Sequence, residues 1–243
     1  MENKEQAQQA VYKETIDSLM QQTQSSTDGL STTQAKEKLE RDGLNQLKEK
    51  PKKPTWKLFL ETFKDAMVIV LLIVALIQMV MGDYIEFLVI FAVLMLNSII
   101  SVVQTKKAES SLEALKNLSA PDARVIRDGK EKTIPANELV VGDIVLLDAG
   151  DYVPADGRLL DAGSLKVDEG MLTGESTSAE KEVMDITSTV PIGDRTNMVF
   201  SGTIVTYGRG KFLVTSTGNN TEIGQVAGLL ESTTEQVTPL QRG

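Results

Sequence analysis

The stretch MLTGES, residues 171–176, holds the combination of side chains best suited to chemistry in this chain: a threonine, a glycine, an acid and a serine in a row, just after a strand-like run. Such a run is either an ordinary polar surface turn or a loop that brings a carboxylate up to a phosphate. These residues alone leave both readings open. The rest of the composition narrows the chemistry sharply. The 243 residues contain no cysteine and no histidine. Disulfide scaffolds, zinc–thiolate sites, thiol nucleophiles, Ser–His triads and histidine ligands are therefore excluded. Any reaction must rest on carboxylates, hydroxyls, amides, lysines or arginines. A formal net charge of -9, with no basic stripe interleaved with aromatics, argues against a nucleic-acid partner.

The elements that would position such a loop begin with two apolar blocks. The first, Ala66 to Met81, is AMVIVLLIVALIQMVM, with Gln78 as its one polar residue. At about 1.5 Å per residue it reaches roughly 24 Å, slightly short of the about 17–25 residues that a bilayer core asks for. An amphipathic stretch, WKLFLETFKD, precedes it, and Trp56 with Lys57 suits a headgroup region. After Gly82 and Asp83 comes the second block, Tyr84 to Val103, long enough to span. Both segments are apolar nearly all round, whereas a soluble helix keeps a polar face. A transmembrane hairpin is the expectation. Lys48, Lys50, Lys52, Lys53 and Lys57 precede it, and Lys106 and Lys107 follow it, with none at the turn. The positive-inside rule then puts both flanks in the cytosol. The polar start, Met1 to Gln24, has no apolar core and predicts no signal peptide. Glu86 interrupts the second span near its outer end, which makes it a candidate for an ion path, and Asn97 is a candidate interhelical hydrogen-bond partner.

Outside the hairpin the local signals change. LSTTQAKEKLERDGLNQL predicts a short helix, with Ser31 and Gln34 as a capping box and Gly43 as its stop. TKKAESSLEALKNL continues the second span as a helix. RVIRDGKEKTI carries Asp128–Gly129 between two strand-like runs, a strong hairpin signal. Further runs, DIVLLDAG, GRLLDAGSLKVDE, NMVFSGTIVTYG and GKFLVTSTG, are punctuated by Gly or Pro, as the short strands of a sandwich or barrel require. NTEIGQVAGLL turns helical again with Thr221 as its cap.

Four ordered motifs, VVGDIVLLDAGDYVPADGRLL (140–160), VDEGMLTGES (167–176), NMVFSGTIVTYGRG (197–210) and TGNNTEIGQVA (217–227), together with the membrane hairpin, resemble the P-type cation-transporting ATPases. The resemblance runs from about Gly29 to the final TPLQRG, which in the family leads into a third membrane helix. It implies a mixed fold: a transmembrane α-helical hairpin plus an all-β actuator domain, distorted and jelly-roll-like, with flanking N-terminal helices. The implied domains are a cytosolic helical segment 1–55, the hairpin 56–105 with spans 66–81 and 84–103, the actuator β domain 106–232, and a linker 233–243.

It also implies a role for the opening stretch. In the family a Thr-Gly-Glu loop swings onto an aspartyl phosphate held by another domain, and its Glu positions the water that hydrolyses it. That role maps onto Thr173, Gly174 and Glu175, with Ser176 beside them. Gly174 permits close backbone approach, Glu175 can orient and partly deprotonate water, and the Thr173 and Ser176 hydroxyls can hold the turn. Pro154, Asp156 and Gly157 resemble a fixed bend between strands, and Gly202 and Gly208 resemble strand-bend positions. Asp168 and Glu169 read equally as braces of the loop or as a solvated acidic turn. The family usually has Ser where this chain has Gly170, which removes a side-chain brace there.

The family's Asp-Lys-Thr-Gly phosphorylation motif and any phosphate-cradling P-loop are absent from the sequence. The expectation is the N-terminal part of a pump, inactive alone, with ATP and Mg2+ used by the complete protein and neither bound by this stretch. Without a Cys-x-x-Cys module the soft-metal branch is disfavoured. The ETFKDAMVIVLL and AESSLEALKNL segments resemble the calcium branch, in which Asp65 matches an acid at the cytoplasmic start of the first helix and so joins Glu86 as an ion-path candidate. Expected partners are Ca2+ as transported cation, the phosphorylation domain of the same polypeptide and the lipid bilayer of a bacterial plasma membrane, with the actuator cytoplasmic. The alternatives are a Na+, K+, H+ or Mn2+ pump, or a non-enzymatic, membrane-anchored binding module.

Overall fold

The computed structural model describes residues 11–47, 54–118 and 121–234. Lys48, Lys50, Lys52 and Lys53, and residues 235–243 of the expected linker, lie outside them. The described residues fall into two units, one formed by 11–47 with 121–234 and the other by 54–118.

The first unit begins with a short 3-10 turn, Val11–Lys13, followed by α1 (Ile16–Gln22) and α2 (Thr32–Asp42). Local chemistry fixes both helices. Thr15 caps α1 through Ser18 N, and Ser31 and Gln34 close a full capping box on α2, which stops at Gly43 with φ +82°. In the other unit, α3 (Thr55–Thr62) meets α4 (Ala66–Met81) at a 72° bend. Gly82, in the left-handed region, ends α4, and Asp83 leads directly into α5 (Tyr84–Leu118). α4 and α5 pack on one another around Ala75, Leu94 and Ser98, yet most of their large apolar side chains stay exposed. Among the described residues one helix, Tyr84–Ser111, is by itself long and apolar enough to cross a membrane; α3 and α4 reach that length only as a bent pair.

The β domain is one antiparallel sheet. Its strands are β1 (Asp122–Arg127), β2 (Lys130–Pro135), β3 (Ile144–Asp148), β4 (Asp156–Asp168), β5 (Ala179–Glu180), β6 (Met198–Val199) and β7 (Ile204–Ser216). Their order is β2-β1-β3-β7-β4-β5, with β6 paired to the start of β4. The short helix α6 (Gly170–Thr173) sits between β4 and β5, and α7 (Glu222–Thr234) follows β7. Asp128 and Gly129 both take positive φ, 54° and 68°, the requirement of a two-residue hairpin whose twist matches its strands.

One expectation needs correction. The runs ending in TYG and beginning with GKF are not two short strands. They form a single 13-residue β7 opposite the equally long β4. The glycines bend the strand without ending it. Gly208 takes φ +78°, and a Cβ there would lie 2.3 Å from Ser164 O. The register shifts beside it, between Gly163 and Lys166, as a bulge does.

Pleating sends alternate residues to two cores. Val125, Val145, Leu147, Leu159, Phe212 and Val214 point into the main one, while Ile126, Ile144 and Leu213 point the other way and meet Leu19 and Met20 of α1. Leu30, just before α2, and Ala35 within it pack on Val140. Asn45 completes the attachment: its amide nitrogen donates to Ala136 O and Pro154 O, both at 2.9 Å, and its oxygen accepts from Gly218 N at 2.8 Å. The N-terminal segment thus covers a face of the sheet that would otherwise leave apolar side chains in water.

Candidate functional site

The TGES residues stand where β4 ends. Asp168 Oδ1 accepts from Gly170 N at 3.0 Å, which turns the chain into α6. The Glu169 carbonyl then accepts from Leu172 N (2.9 Å), Thr173 N (3.0 Å) and the Thr173 hydroxyl (3.1 Å). Gly174 closes the turn in the left-handed conformation, φ +78°, with its N–H on Gly170 O; glycine adopts that region without penalty. The Thr173 hydroxyl also accepts from Glu175 N at 3.2 Å. As a result Glu175 and Ser176 face solvent at the tip. β5 then returns to pair with Lys166 and Val167 of β4.

Beneath the tip the loop is far from a solvated turn. Glu169 is 2% exposed, and its carboxylate lies 2.6 Å from Lys181 Nζ, itself withdrawn from water. Reading Glu169 as a solvated acid is therefore corrected, whereas the neighbouring Asp168 and Glu180 do face solvent. Burial pushes the Glu169 carboxyl up from its ordinary range and the Lys181 ammonium down from its own, and each charge resists the other's shift. Lys181 Nζ also reaches Arg195 O at 3.4 Å and stands 5.4 Å from the centre of the Phe200 ring.

A small apolar cluster supports the other side of α6. Tyr12, Ile186, Met198 and Phe200 form it, with Leu172 of α6 and Ile192 packed against them. The turn Ile192–Asp194 comes close enough that a Cβ on Gly193 would sit 3.3 Å from the Thr173 methyl. Tyr12 arrives from the far N-terminus. The Arg195 guanidinium lies over its ring at 4.7 Å, its hydroxyl accepts from Val190 N, and its carbonyl accepts from Asn197 Nδ2 at 2.8 Å. Arg195 continues to Glu222, at the start of α7, at 2.8 Å.

Asp156 is a separate buried acid. It accepts from Ser201 N and Glu222 N, both at 2.7 Å, tying β4 to the β6–β7 turn and to α7. Burial pushes its pKa up to about 7, against the downward pull of those two N–H groups. Thr221 caps α7 through Gly224 N.

Thr173, Gly174, Glu175 and Ser176 thus share one exposed turn, and the first of them holds its backbone. Asp65 and Glu86 belong to the other unit. Asp65 is the N-cap of α4, accepting from Met67 N at 2.8 Å, and Glu86 is exposed in the first turn of α5. Sequence reasoning missed Tyr12, Lys181 and Arg195 as neighbours of the loop; no spacing signal joins residues so distant in the chain. Among the described residues no group of three acids converges on a metal position.

An antiparallel β domain that lifts a Thr-Gly-Glu turn on a buried ion pair, in one chain with a long apolar helix, defines a class that sequence comparison identifies further. A model of the P-type ATPase actuator domain matches residues 117–231, and a model of the cation transporter/ATPase N-terminus matches residues 11–78. The chain belongs to the P-type cation-transporting ATPase family. It is similar to a calcium-transporting ATPase of Listeria monocytogenes, 58% identical over 232 residues, which is 96% of this chain and 26% of that protein. A calcium-transporting ATPase of Lactococcus lactis is 53% identical over 95% of the chain and 26% of its own length. A cation-transporting ATPase of Synechocystis is 40% identical over 88% of the chain and 24% of its own length. The chain spans about a quarter of the length of the relatives it matches.

Proposed function

We propose that this chain is the N-terminal part of an ATP-driven Ca2+ pump, and that its β domain is the actuator that dephosphorylates the pump's aspartyl-phosphate intermediate. The observation that carries the proposal is the TGES turn itself: an exposed carboxylate on a backbone fixed by Thr173, Gly174 and the Glu169 carbonyl. A turn held in this way offers Glu175 to a surface on another domain without having to reorganise. There Glu175 accepts a proton from water as the water oxygen attacks phosphorus. The bond to the aspartate oxygen breaks, inorganic phosphate leaves and the aspartate carboxylate is regenerated. Thr173, Gly174 and Ser176 shape the loop that makes the approach. The calcium assignment is supported by the names of the most similar relatives described above.

In this reading α4 and α5 form a hairpin in a bacterial plasma membrane, with the actuator in the cytosol. Its attachment to both sides of that hairpin, through 48–54 and α5, and onward through α7, lets its rotation pull on the membrane helices. ATP and Mg2+ serve the phosphorylation step on a domain of the complete pump.

The test is Glu175→Gln in the full-length pump. Phosphorylation by ATP should persist, because another domain forms the aspartyl phosphate. Loss of one general base lowers the hydrolysis rate by about 10²–10⁴, or about 3–5 kcal/mol of barrier, so the phosphoenzyme should accumulate. Decay of acid-stable phosphoenzyme after a chase with unlabelled ATP reads this directly, and decay as fast as the parent refutes the catalytic role. ATPase activity that ignores calcium overturns the ion.

A further inference from the structure

Both charges of the Glu169–Lys181 pair are buried, at 2% and 0% side-chain exposure. Desolvating two charges is expensive, and a pair of well-packed apolar side chains often serves stability as well or better. What an apolar pair lacks is direction. Here direction matters, because the Glu169 residue is where the catalytic turn is hung. Its carbonyl receives Thr173 N and the Thr173 hydroxyl, and that hydroxyl receives Glu175 N. Lys181 is fixed independently. Its backbone N–H donates to Leu165 O in β4 at 2.9 Å, and its ammonium reaches Arg195 O beyond the turn that packs on α6. The pair thereby fastens the first residue of the turn to both flanks of the loop at once.

We propose that Glu169 and Lys181 are positioning residues for Glu175, retained for the orientation of the TGES turn and not for the stability of the domain. Neither touches the phosphate; they act through Glu169's own backbone, Thr173 and the Glu175 N–H. The inference rests on the reading that Glu175 performs the dephosphorylation, and the experiment below separates failure of the two.

In the full-length pump, three variants are compared with the parent: Glu175→Gln, Glu169→Asp, and the double variant Glu169→Leu/Lys181→Met, which replaces the pair with apolar side chains of similar volume. Three quantities are measured: the thermal unfolding midpoint, phosphoenzyme formation from ATP, and phosphoenzyme decay after a chase. The double variant should melt within a few degrees of the parent and form phosphoenzyme normally. Its decay should slow by about 10- to 100-fold, the scale of a misplacement of about 1 Å in a reacting group. Glu169→Asp keeps the charge and withdraws it from Lys181 by one methylene, so it should slow decay in the same direction. A purely structural pair would move the melting midpoint and leave the ratio of phosphorylation to decay unchanged. If the double variant melts and decays like the parent while Glu175→Gln is slow, the positioning role is overturned. If the double variant does not fold, Glu169→Asp decides: parental decay overturns the role, slowed decay supports it. If Glu175→Gln itself decays like the parent, the underlying reading fails and this proposal falls with it.

Discussion

Removing the ring of Tyr12 tests whether a residue at the edge of the chain supports a turn more than 150 residues away in sequence. Tyr12 is 2% exposed and packs among Ile186, Met198 and Phe200, with Leu172 of α6 in the same cluster. Truncating a buried aromatic to Ala lowers stability by about 3–5 kcal/mol. Losing the Arg195 guanidinium over the ring adds about 0.5–1 kcal/mol. The total, about 5 kcal/mol, corresponds to about 10–20 °C in melting temperature for a domain of this size. Tyr12→Phe isolates the hydroxyl. Among the described residues that group accepts one hydrogen bond, from Val190 N, and it is 3.4 Å long, so its loss should stay below about 1 kcal/mol. The assay is urea unfolding of a soluble chain in which a flexible linker joins 11–47 to 121–234, followed by phosphoenzyme decay in the full-length pump. Tyr12→Ala should destabilise strongly and slow decay, because Leu172 and the Ile192–Asp194 turn lose their support. A change below 1 kcal/mol would refute the packing argument. A large loss of stability with parental decay would refute the link to the turn.

Asp156 should leave a signature in pH. Its folded pKa, pushed up to about 7 by burial, exceeds the ordinary carboxyl value. The folded state therefore holds the proton more tightly. This contribution to stability is fully present below about pH 4 and is lost as pH rises through about 7, amounting to a few kcal/mol. Asp156→Asn should flatten that part of the profile; a variant-minus-parent difference in unfolding free energy that is constant between about pH 4 and 8 contradicts it. Gly157→Ala should be severe, since a Cβ there would lie 2.2 Å from the Phe212 ring and 2.4 Å from Leu213 O. Overpacking of this kind lowers stability by about 1–3 kcal/mol or more, and an unchanged urea midpoint would show that β4 and β7 separate more easily than their spacing implies.

What could be read from the sequence is what is encoded locally. The Ser31–Gln34 box, the Asp128–Gly129 turn, the Ala66–Met81 helix with its Gly82 stop and the Thr221 cap each depend on residues within a few positions of one another. The strand order did not show, because nothing in β3 or β7 names its partner across some 65 residues of chain. Gly208 is a strand bend as expected, but the break read between TYG and GKF fails for a physical reason: glycine marks both a turn and a bulge, and only the opposite strand decides which. The site divides along the same line. Its tip was legible, since four consecutive residues carry the motif, but its support was not. An acid and a lysine twelve positions apart carry no periodicity that says they are buried against each other, and Tyr12 lies in a polar stretch. Those supports come from the N-terminal turn, from the residue just after β5 and from the turn before β6, which are three separate stretches of chain. A turn built in this way can be recognised from a few residues, yet its geometry depends on the whole domain being folded, with 11–47 packed into it.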